Sequence, residues 1–496
     1  MDPDQFNRKM KQDVVIIGCG LAGLQCGYIL SKRGYRVCLL EQHSQIGGCL
    51  QTFRRQDALF DTGFHFVGGL DEGQPLNRLF RFFDLLDLPW QRLDEEGFAE
   101  VHLNGSSFRL PSGYERYVDY LSTAFPHQKD QLKKYINLLQ EVETNLFQSL
   151  TGEANSAEYF NRSAWNFLEE TIDDPLLRNI LSATSLTMEL DKEHLPLYVF
   201  AQINNSFIRS SWRLQGGGSL IADRLAETIR QNGGTILTNA RVTALTETDG
   251  RITSVTYNDT ERLEADWFIS TLHPDQTLSL IPETRLIRNI YRKRIASLTN
   301  TFGMFTVHIR LKKGILPYQN RNLFLYSGQE VWDYSPENTA PPVMVSYYTP
   351  EEGAFAEQID LLTPVRWQEI AHWEETTIGR RGEDYKAFKK QKSEACIIVA
   401  NAHIPGLCAA IEKVYTSSPL TYRDYTGIPQ GSAFGIQKDC NNVMGTLIPV
   451  QTQIPNLLLS GQNLNLHGVL GVSMTSLFTC ARIVGMEALK NELITE

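Results

Sequence analysis

The chain has 496 residues, 42% of them hydrophobic, which is enough for two or more well-packed domains. A formal net charge of −10 excludes the basic surface typical of nucleic-acid-binding proteins. The eight cysteines form no CxxC pair and no metal-type spacing, so we expect reduced thiols, no bound metal and no disulfide framework.

The N-terminal segment 1–12, MDPDQFNRKMKQ, lacks an apolar signal core. No uninterrupted apolar run in the chain approaches the ~18 residues that a membrane-spanning helix requires. We therefore expect a cytoplasmic protein, and peripheral contact with a membrane surface remains open.

Residues 13–41 are typical of a dinucleotide-binding βαβ unit. The apolar run DVVIIG predicts a buried strand, a helical apolar period follows, and RVCLLE predicts a second strand that ends at Glu41. Gly18 allows the tight turn, Gly20 allows the backbone to approach a pyrophosphate, and Gly23 allows close packing of helix and strand. Glu41 would accept hydrogen bonds from ribose hydroxyls.

Segment 76–90, LNRLFRFFDLLDLPW, is rich in large apolar residues and predicts a helix. We favour a helix buried in the core, with a helix beside a lipid-like ligand or a bilayer as the alternative.

Two later segments, 212–274 and 456–489, repeat the combination of strand, glycine-rich loop and helix. They indicate a discontinuous nucleotide-binding domain interrupted by two insertions, one mostly helical and one with strand candidates such as FGMFTVHIRL and PVMVSYY. The stretch 354–381 within the second insertion predicts a surface helix. The predicted domains are a nucleotide-binding domain of residues 1–104, 211–285 and 421–496, and a substrate or cover domain of residues 105–210 and 286–420.

Two basic islands, 285–295 (RLIRNIYRKRI) and 388–392 (FKKQK), stand out on this acidic chain. We favour a solvated helix face for each. Contact with anionic lipid is the alternative.

Six motifs, GCGLAGL, LLEQ, IGGCLQTF, FDTGFHFVGG, SPLTYRDYTGIPQGSAFG and LLLSGQNLNLHGVLGV, together resemble the flavoprotein superfamily of phytoene desaturases, carotenoid isomerases and retinol saturases. The resemblance covers nearly the whole chain. It implies an α/β fold, in which a discontinuous Rossmann-like FAD-binding domain carries an inserted α+β substrate domain. Cys49 stands where the desaturases usually have arginine, which favours the retinol saturase branch.

The resemblance also implies which residues bind FAD. Asn463 departs from the acidic residue common in the family, although its amide can still form hydrogen bonds. The loop from Gly468 to Val472 is expected to open a helix at Ser473, whose N–H groups would stabilise the negative charge of reduced flavin. The residues assigned in this way are Gly18, Gly20, Leu21, Ala22 and Gly23 at the pyrophosphate, Glu41 and Gln42 at the ribose end, Gly47, Gly48 and Cys49 on the flavin side, Val242 beside adenine, and Gly461, Gln462, Asn463, Gly468, Gly471 and Val472 over the ribityl chain and isoalloxazine.

Flavin supplies hydride transfer, so the chain needs only to orient a substrate and to control a proton. The motifs place His65 and His467 nearest the flavin, and either is a candidate proton donor near neutral pH. Each is also compatible with a purely structural role. Cys49 is expected to be a small filler, since no partner cysteine is near it in sequence.

The function implied is an FAD-dependent oxidoreductase that reduces carbon–carbon double bonds of an apolar polyene or isoprenoid. The segments FHFVGGL and NLHGVLGVSM contain no lysine or arginine, as an apolar substrate would require. A cis–trans isomerase, a desaturase, an amine oxidase and a non-enzymatic prenyl-binding protein remain alternatives. The chain has no second intact GxGxxG unit, so the electron donor stays open between transiently bound NAD(P)H, a partner protein and a quinone.

Overall fold

A computed structural model describes residues 11–148, 156–282, 284–328, 330–332, 334–336 and 339–494. Most of the N-terminal segment considered for a signal sequence, residues 1–10, lies outside these ranges. No helix within them is both long and apolar enough to cross a membrane.

Strands contribute to two large sheets and two small ones. The strands are β1 Gln12–Ile17, β2 Val37–Leu40, β3 Thr52–Arg55, β4 Ala58–Asp61, β5 Val67–Gly68, β6 Trp90–Arg92, β7 Ala99–Leu103, β8 Ser106–Leu110, β9 Ser211–Leu214, β10 Thr235–Leu237, β11 Val242–Thr248, β12 Arg251–Tyr257, β13 Glu261–Ser270, β14 Gly303–Leu311, β15 Asn322–Tyr326, β16 Val343–Tyr347, β17 Gln358–Val365, β18 Ile411–Ser417 and β19 Leu457–Leu459.

Helices cover both large sheets. The α-helices are Leu21–Ser31, Pro75–Phe82, Tyr114–Ala124, Lys129–Gln148, Ala157–Phe160, Ala164–Thr171, Pro175–Leu181, Leu197–Arg209, Ser219–Gln231, Pro274–Ser279, Asn289–Ala296, Trp367–Ile370, Gly382–His403, Leu407–Ala410, Pro419–Thr426, Val443–Thr446, Gly468–Val484 and Met486–Ile494, and the 3₁₀ helices are Gly48–Leu50, Pro126–Gln128, Ala183–Thr187, Ala371–Trp373 and Pro429–Gly431.

The first sheet has the order β10–β2–β1–β13–β12–β11, and β19 also pairs with β13. β10, β2, β1, β13 and β19 are parallel. The strands β1, β2 and β19 are apolar and largely buried because helices or the β11–β12 hairpin cover both faces. Val14 and Ile16 pack against the helices Leu21–Ser31 and Ser219–Gln231. The predicted βαβ unit is confirmed, and its glycine turn lies at the carboxyl end of β1.

The second sheet has the order β18–β14–β17–β16–β15–β7–β8 and is antiparallel except at β15–β7. The helix Gly382–His403 packs on one face. The helical insertion, predicted correctly as mostly helical, packs on the other face through residues such as Phe324, Met344 and Leu362.

The prediction of a surface helix over 354–381 is wrong. Its central part, QIDLLTPV, is the strand β17, which is almost entirely buried between β14 and β16. Helix is limited to Trp367–Ile370 in the middle of the stretch and to the 3₁₀ helix Ala371–Trp373 that follows it. Asp360 in the middle of the strand is compensated by partners on other strands, which a local pattern does not reveal.

The apolar segment 76–90 contains a shorter helix than predicted. The helix Pro75–Phe82 ends where Asp84 takes a positive φ of 54°, and Trp90–Arg92 is a strand. Its large side chains are buried, which confirms the interpretation as a core helix.

β7 and β8 form a hairpin whose turn is Asn104-Gly105, both with positive φ. The predicted boundary at residue 104 passes through this turn. Both strands belong to the second sheet because β7 pairs with β15.

Candidate functional site

A cavity of about 440 Å³ lies where the carboxyl ends of the parallel strands meet the second sheet and the helical insertion. Such a strand edge, at a point where the strand order reverses, is where open α/β sheets bind ligands. Of the residues assigned above to FAD or to catalysis, only Gly23 and Gly471 do not line it. The lining brings together the three separate chain segments that the motifs marked.

The glycine turn after β1 shows why each glycine is needed. Gly18 has φ +96°, and a Cβ on Gly23 would lie 2.0 Å from the Gly18 carbonyl oxygen, so no larger residue fits there. A Cβ on Gly20 would meet no atom within 4 Å and would project into open space instead. Gly23 thus allows close packing of the helix on the turn, whereas the absence of a side chain at Gly20 leaves space for a bound ligand.

The carboxylate of Glu41 is already fixed by the backbone. One oxygen accepts the N–H of Cys19 at 2.9 Å and the other accepts the N–H of His43 at 3.0 Å. The residue is only 8% exposed but borders the cavity. Since each carboxylate oxygen has a further lone pair, Glu41 can still accept ribose hydroxyls.

The segment Gly47–Cys49 closes over the same turn. The Gly47 N–H donates to the Cys19 carbonyl at 2.7 Å, and a Cβ on Gly48 would lie 3.2 Å from the Gly20 Cα. Burial raises the pKa of the Cys49 thiol to about 11. A neutral thiol there matches the expected small filler.

Two helices point their N-terminal ends into the cavity. The first turns of Leu21–Ser31 and Gly468–Val484 line it, and neither has a side-chain cap or an acidic residue. The unpaired N–H groups and the dipole of such ends favour an anion, so the residues present fit the pyrophosphate and the electron-rich ring of FAD.

The helix expected to open at Ser473 begins at Gly468 instead. A Cβ on Gly471 would lie 2.3 Å from the Leu466 carbonyl oxygen, so this glycine lets the entering chain cross the first turn. The glycines that suggested a loop therefore belong to the helix itself.

Asn463 is held beneath this helix end. Its side-chain oxygen accepts the N–H of Ile436 at 3.1 Å, and its carbonyl accepts from the buried Lys438 ammonium at 2.7 Å. Burial lowers the pKa of Lys438 to about 7. No motif in the sequence marks Lys438 as a residue of the site.

His467, the N-cap residue of that helix, is a neutral imidazole at neutral pH. Burial lowers its pKa to about 4. Its Nε2 lies 3.3 Å from the Thr187 carbonyl oxygen, which identifies Nε2–H as the donor, and its ring packs against Phe434 at 4.5 Å between centroids.

His65 lines the cavity from the first domain and faces the second sheet. Its Nδ1 is 3.9 Å from a carboxylate oxygen of Asp360, too far for a hydrogen bond. Burial lowers the pKa of His65 to about 4. The nearby charges of His308 and Arg213 lower this pKa further, whereas the negative charge of Asp360 raises it. In the described residues His65 makes no hydrogen bond, so its N–H is available.

Behind His65 lies a buried polar network that the sequence did not predict. Asp360 accepts hydrogen bonds from the Tyr348 hydroxyl at 2.7 Å and from His308 Nδ1 at 2.8 Å. His308 Nε2 is 3.0 Å from the Ser417 hydroxyl, and the Tyr348 hydroxyl also accepts the N–H of Asp61. Burial raises the pKa of Asp61 to about 8. Pairing of β14 with β17 and β18 brings these residues together, and no local motif encodes it.

The other half of the cavity is apolar. Phe66 and Phe207 stack at 4.5 Å between ring centroids. The charged side chains that line the cavity, Glu41 and Arg241, lie together near the ends of β2 and β11, as the hydrogen bond from Ala240 N–H to the Glu41 carbonyl shows. Further apolar lining comes from Leu186, Ile203, Met304, Met344, Leu362 and Phe434.

Comparisons with known proteins agree with this geometry. The sequence profile of the family described as flavin containing amine oxidoreductase matches residues 21–364. The all-trans-retinol 13,14-reductase of Rattus norvegicus is 26% identical over 530 aligned positions, which cover 96% of this chain and 86% of that protein. Prolycopene isomerase 1, a chloroplastic protein of an Oncidium hybrid cultivar, is 22% identical over 62% of this chain and 56% of its own length.

Among solved structures, cyclohexylamine oxidase from Brevibacterium oxydans IH-35A has a similar fold. The TM-score is 0.62 at 15% identity, with 97% of this chain and 99% of that chain covered. The predicted resemblance to the desaturase, isomerase and retinol saturase flavoproteins is confirmed by these matches, and so is the Rossmann-like FAD-binding fold with a substrate domain.

Proposed function

Because the chain belongs to the family of flavin-containing amine oxidoreductases, we propose that it is an FAD-dependent reductase that saturates a carbon–carbon double bond of an apolar polyene or isoprenoid. The observation that carries the proposal is the cavity, which joins the FAD-fitting segments to an apolar half without a charged lining side chain. The near-full-length similarity to a protein named as a retinol reductase supports the same reaction type.

The apolar half would hold an extended substrate by burial alone. Each buried methylene contributes about 0.8 kcal/mol, so binding can be distributed along a chain without a polar anchor. Phe66 and Phe207 offer ring surfaces to a conjugated system. The buried sheet face behind Met344 and Leu362 would exclude water from the reacting bond.

When bound and reduced, FAD would supply a hydride to one carbon of the double bond, and the other carbon would take a proton. The two electrons come from an external two-electron donor, for which we propose NAD(P)H binding transiently. We assign proton delivery to the protonated form of His65, a minor species at neutral pH because burial lowers its pKa to about 4. This ring borders the cavity and makes no hydrogen bond with a described residue, whereas His467 donates to Thr187. Asp360 would stabilise the positive charge if His65 takes up a proton from solvent between turnovers.

The proposal is tested with holoprotein reduced anaerobically and mixed with retinol, a carotenoid or no substrate. Flavin absorbance should recover with a polyene. His65→Gln should slow the recovery by about 10²-fold, the range for loss of a general acid, and should leave bound FAD unchanged. Failure of every polyene to reoxidise the flavin, together with bleaching of the oxidised protein by cyclohexylamine, would contradict the proposal.

A further inference from the structure

The two basic islands of the sequence differ in the folded chain. In the island 388–392, Lys392 pairs with Glu369 at 2.9 Å and Lys390 with Glu394 at 3.8 Å. In the island 285–295, none of the cations forms an ion pair with any described residue. Two of the three lysines of the first island are thus paired within the fold, and the third, Lys389, lies over the Tyr385 ring. The second island presents positive charge without an ion-pair partner among the described residues, on a chain of net charge −10.

Large apolar side chains project from the same surface. Ile290 is 76% exposed and Met444 is 86% exposed. On the helix Asn289–Ala296, Ile290 and Arg294 are neighbours four residues apart, and the Arg294 guanidinium donates to the Met444 carbonyl at 3.2 Å. The basic apolar patch, as we name it, consists of Arg285, Arg288, Ile290, Lys293, Arg294 and Met444.

We propose that the basic apolar patch binds the surface of an anionic lipid bilayer. Cations near such a surface are attracted to the lipid headgroups, and apolar side chains between them enter the headgroup boundary. Ile290 and Met444 protrude instead of lining a groove, which suits a deformable bilayer better than the preformed surface of a protein partner. This inference does not depend on the reaction proposed above.

The test is sedimentation of the FAD-loaded full chain with phosphatidylcholine vesicles, with and without phosphatidylserine. We expect binding to the anionic vesicles that high salt weakens. Arg288→Glu with Lys293→Glu should reduce the partition coefficient at least about tenfold. Ile290→Ser with Met444→Ser should also reduce it while leaving the charge intact.

The matched control is Lys386→Glu with Lys390→Glu, which changes net charge equally on the exposed face of the helix Gly382–His403. It should sediment like the wild type. The proposal is overturned if the control variant loses as much binding as the patch variant, or if the wild type does not sediment with anionic vesicles. If the chain binds to an immobilised acidic protein but not to vesicles, the proposal is also overturned, and the patch is assigned to a protein partner.

Discussion

At the scale of single residues, the site is organised by backbone bonds that exist before a ligand arrives. Glu41 illustrates this, because both oxygens of its carboxylate are held by N–H groups that follow β1 and β2. The sequence predicted the ribose contact from the position of the carboxylate after a strand. It did not predict that the same carboxylate also stabilises the glycine turn by accepting the N–H of Cys19.

Glu41→Gln should therefore weaken FAD retention by about tenfold or more, since hydrogen bonds to charged groups contribute about 1.5–3 kcal/mol. The amide keeps one acceptor oxygen but replaces the other with a donor that cannot accept an N–H. The measurement is the FAD dissociation constant after dilution, with Ser44→Ala on the exposed neighbouring turn as the control. Equal retention by Glu41→Gln and wild type would show that Glu41 does not hold the ribose.

His467 gives a prediction that does not require activity. Burial lowers its pKa from 6.5 to about 4, so the unfolded chain takes up the proton first as the pH falls. Its contribution to the unfolding free energy is thus retained above about pH 6.5 and is lost below it, at about 1.4 kcal/mol per pH unit until the folded pKa is reached.

His467→Gln should remove this part of the acid sensitivity. Denaturant unfolding of the wild type and the variant at several pH values between neutral and the folded pKa measures the difference, with His127→Gln at an exposed position as the control. If the unfolding free energies of wild type and His467→Gln differ by the same amount at every pH in that interval, His467 is not buried as a neutral ring.

At the scale of secondary-structure elements, the sequence predicted well where the signal is local. The strand, glycine turn and helix from Gln12 to Ser31 follow from an apolar run and a helical period, and both are confirmed. β17 was missed because its signal is not local. The carboxylate of Asp360 looks like a surface residue until β14 supplies His308, which is 52 positions away in sequence.

The same limit explains the uneven prediction of the candidate site. Motif residues such as Gly20 and Glu41 were found because a short spacing encodes their geometry. Tyr348, His308 and Asp360 were not, since only the register of three strands places them behind His65.

A pair of substitutions in the glycine turn should separate folding from cofactor binding. Gly20→Ala has space for its methyl group, so the FAD-free protein should melt within a few degrees of the wild type but bind FAD at least about tenfold more weakly. Gly23→Ala would collide with the Gly18 carbonyl and should yield little folded protein. Thermal unfolding and FAD titration are the measurements. Wild-type FAD affinity in Gly20→Ala would show that the pyrophosphate does not bind at this turn.

At the scale of the whole molecule, the site exists only because the two large sheets meet. The first sheet supplies the segments that fit FAD, and the second sheet with the helical insertion supplies the apolar half of the cavity. His65, between β4 and β5, and Asp360, on β17 of the second sheet, approach each other at this junction. The proposed reaction therefore requires both sheets, because neither sheet alone supplies the whole cavity lining.

The most direct test of the proposed reduction is the mass of the product from a single anaerobic turnover. Holoprotein reduced with a stoichiometric two-electron donor is mixed with a polyene that reoxidises it, and the product is analysed by mass spectrometry. The proposed reductase should give a product heavier than the substrate by two hydrogen atoms, formed in proportion to the flavin reoxidised. A product of unchanged mass would identify an isomerase, and a product lighter by two hydrogen atoms, formed with oxidised flavin, would identify a desaturase. Either result would show that the protein is not a reductase of double bonds.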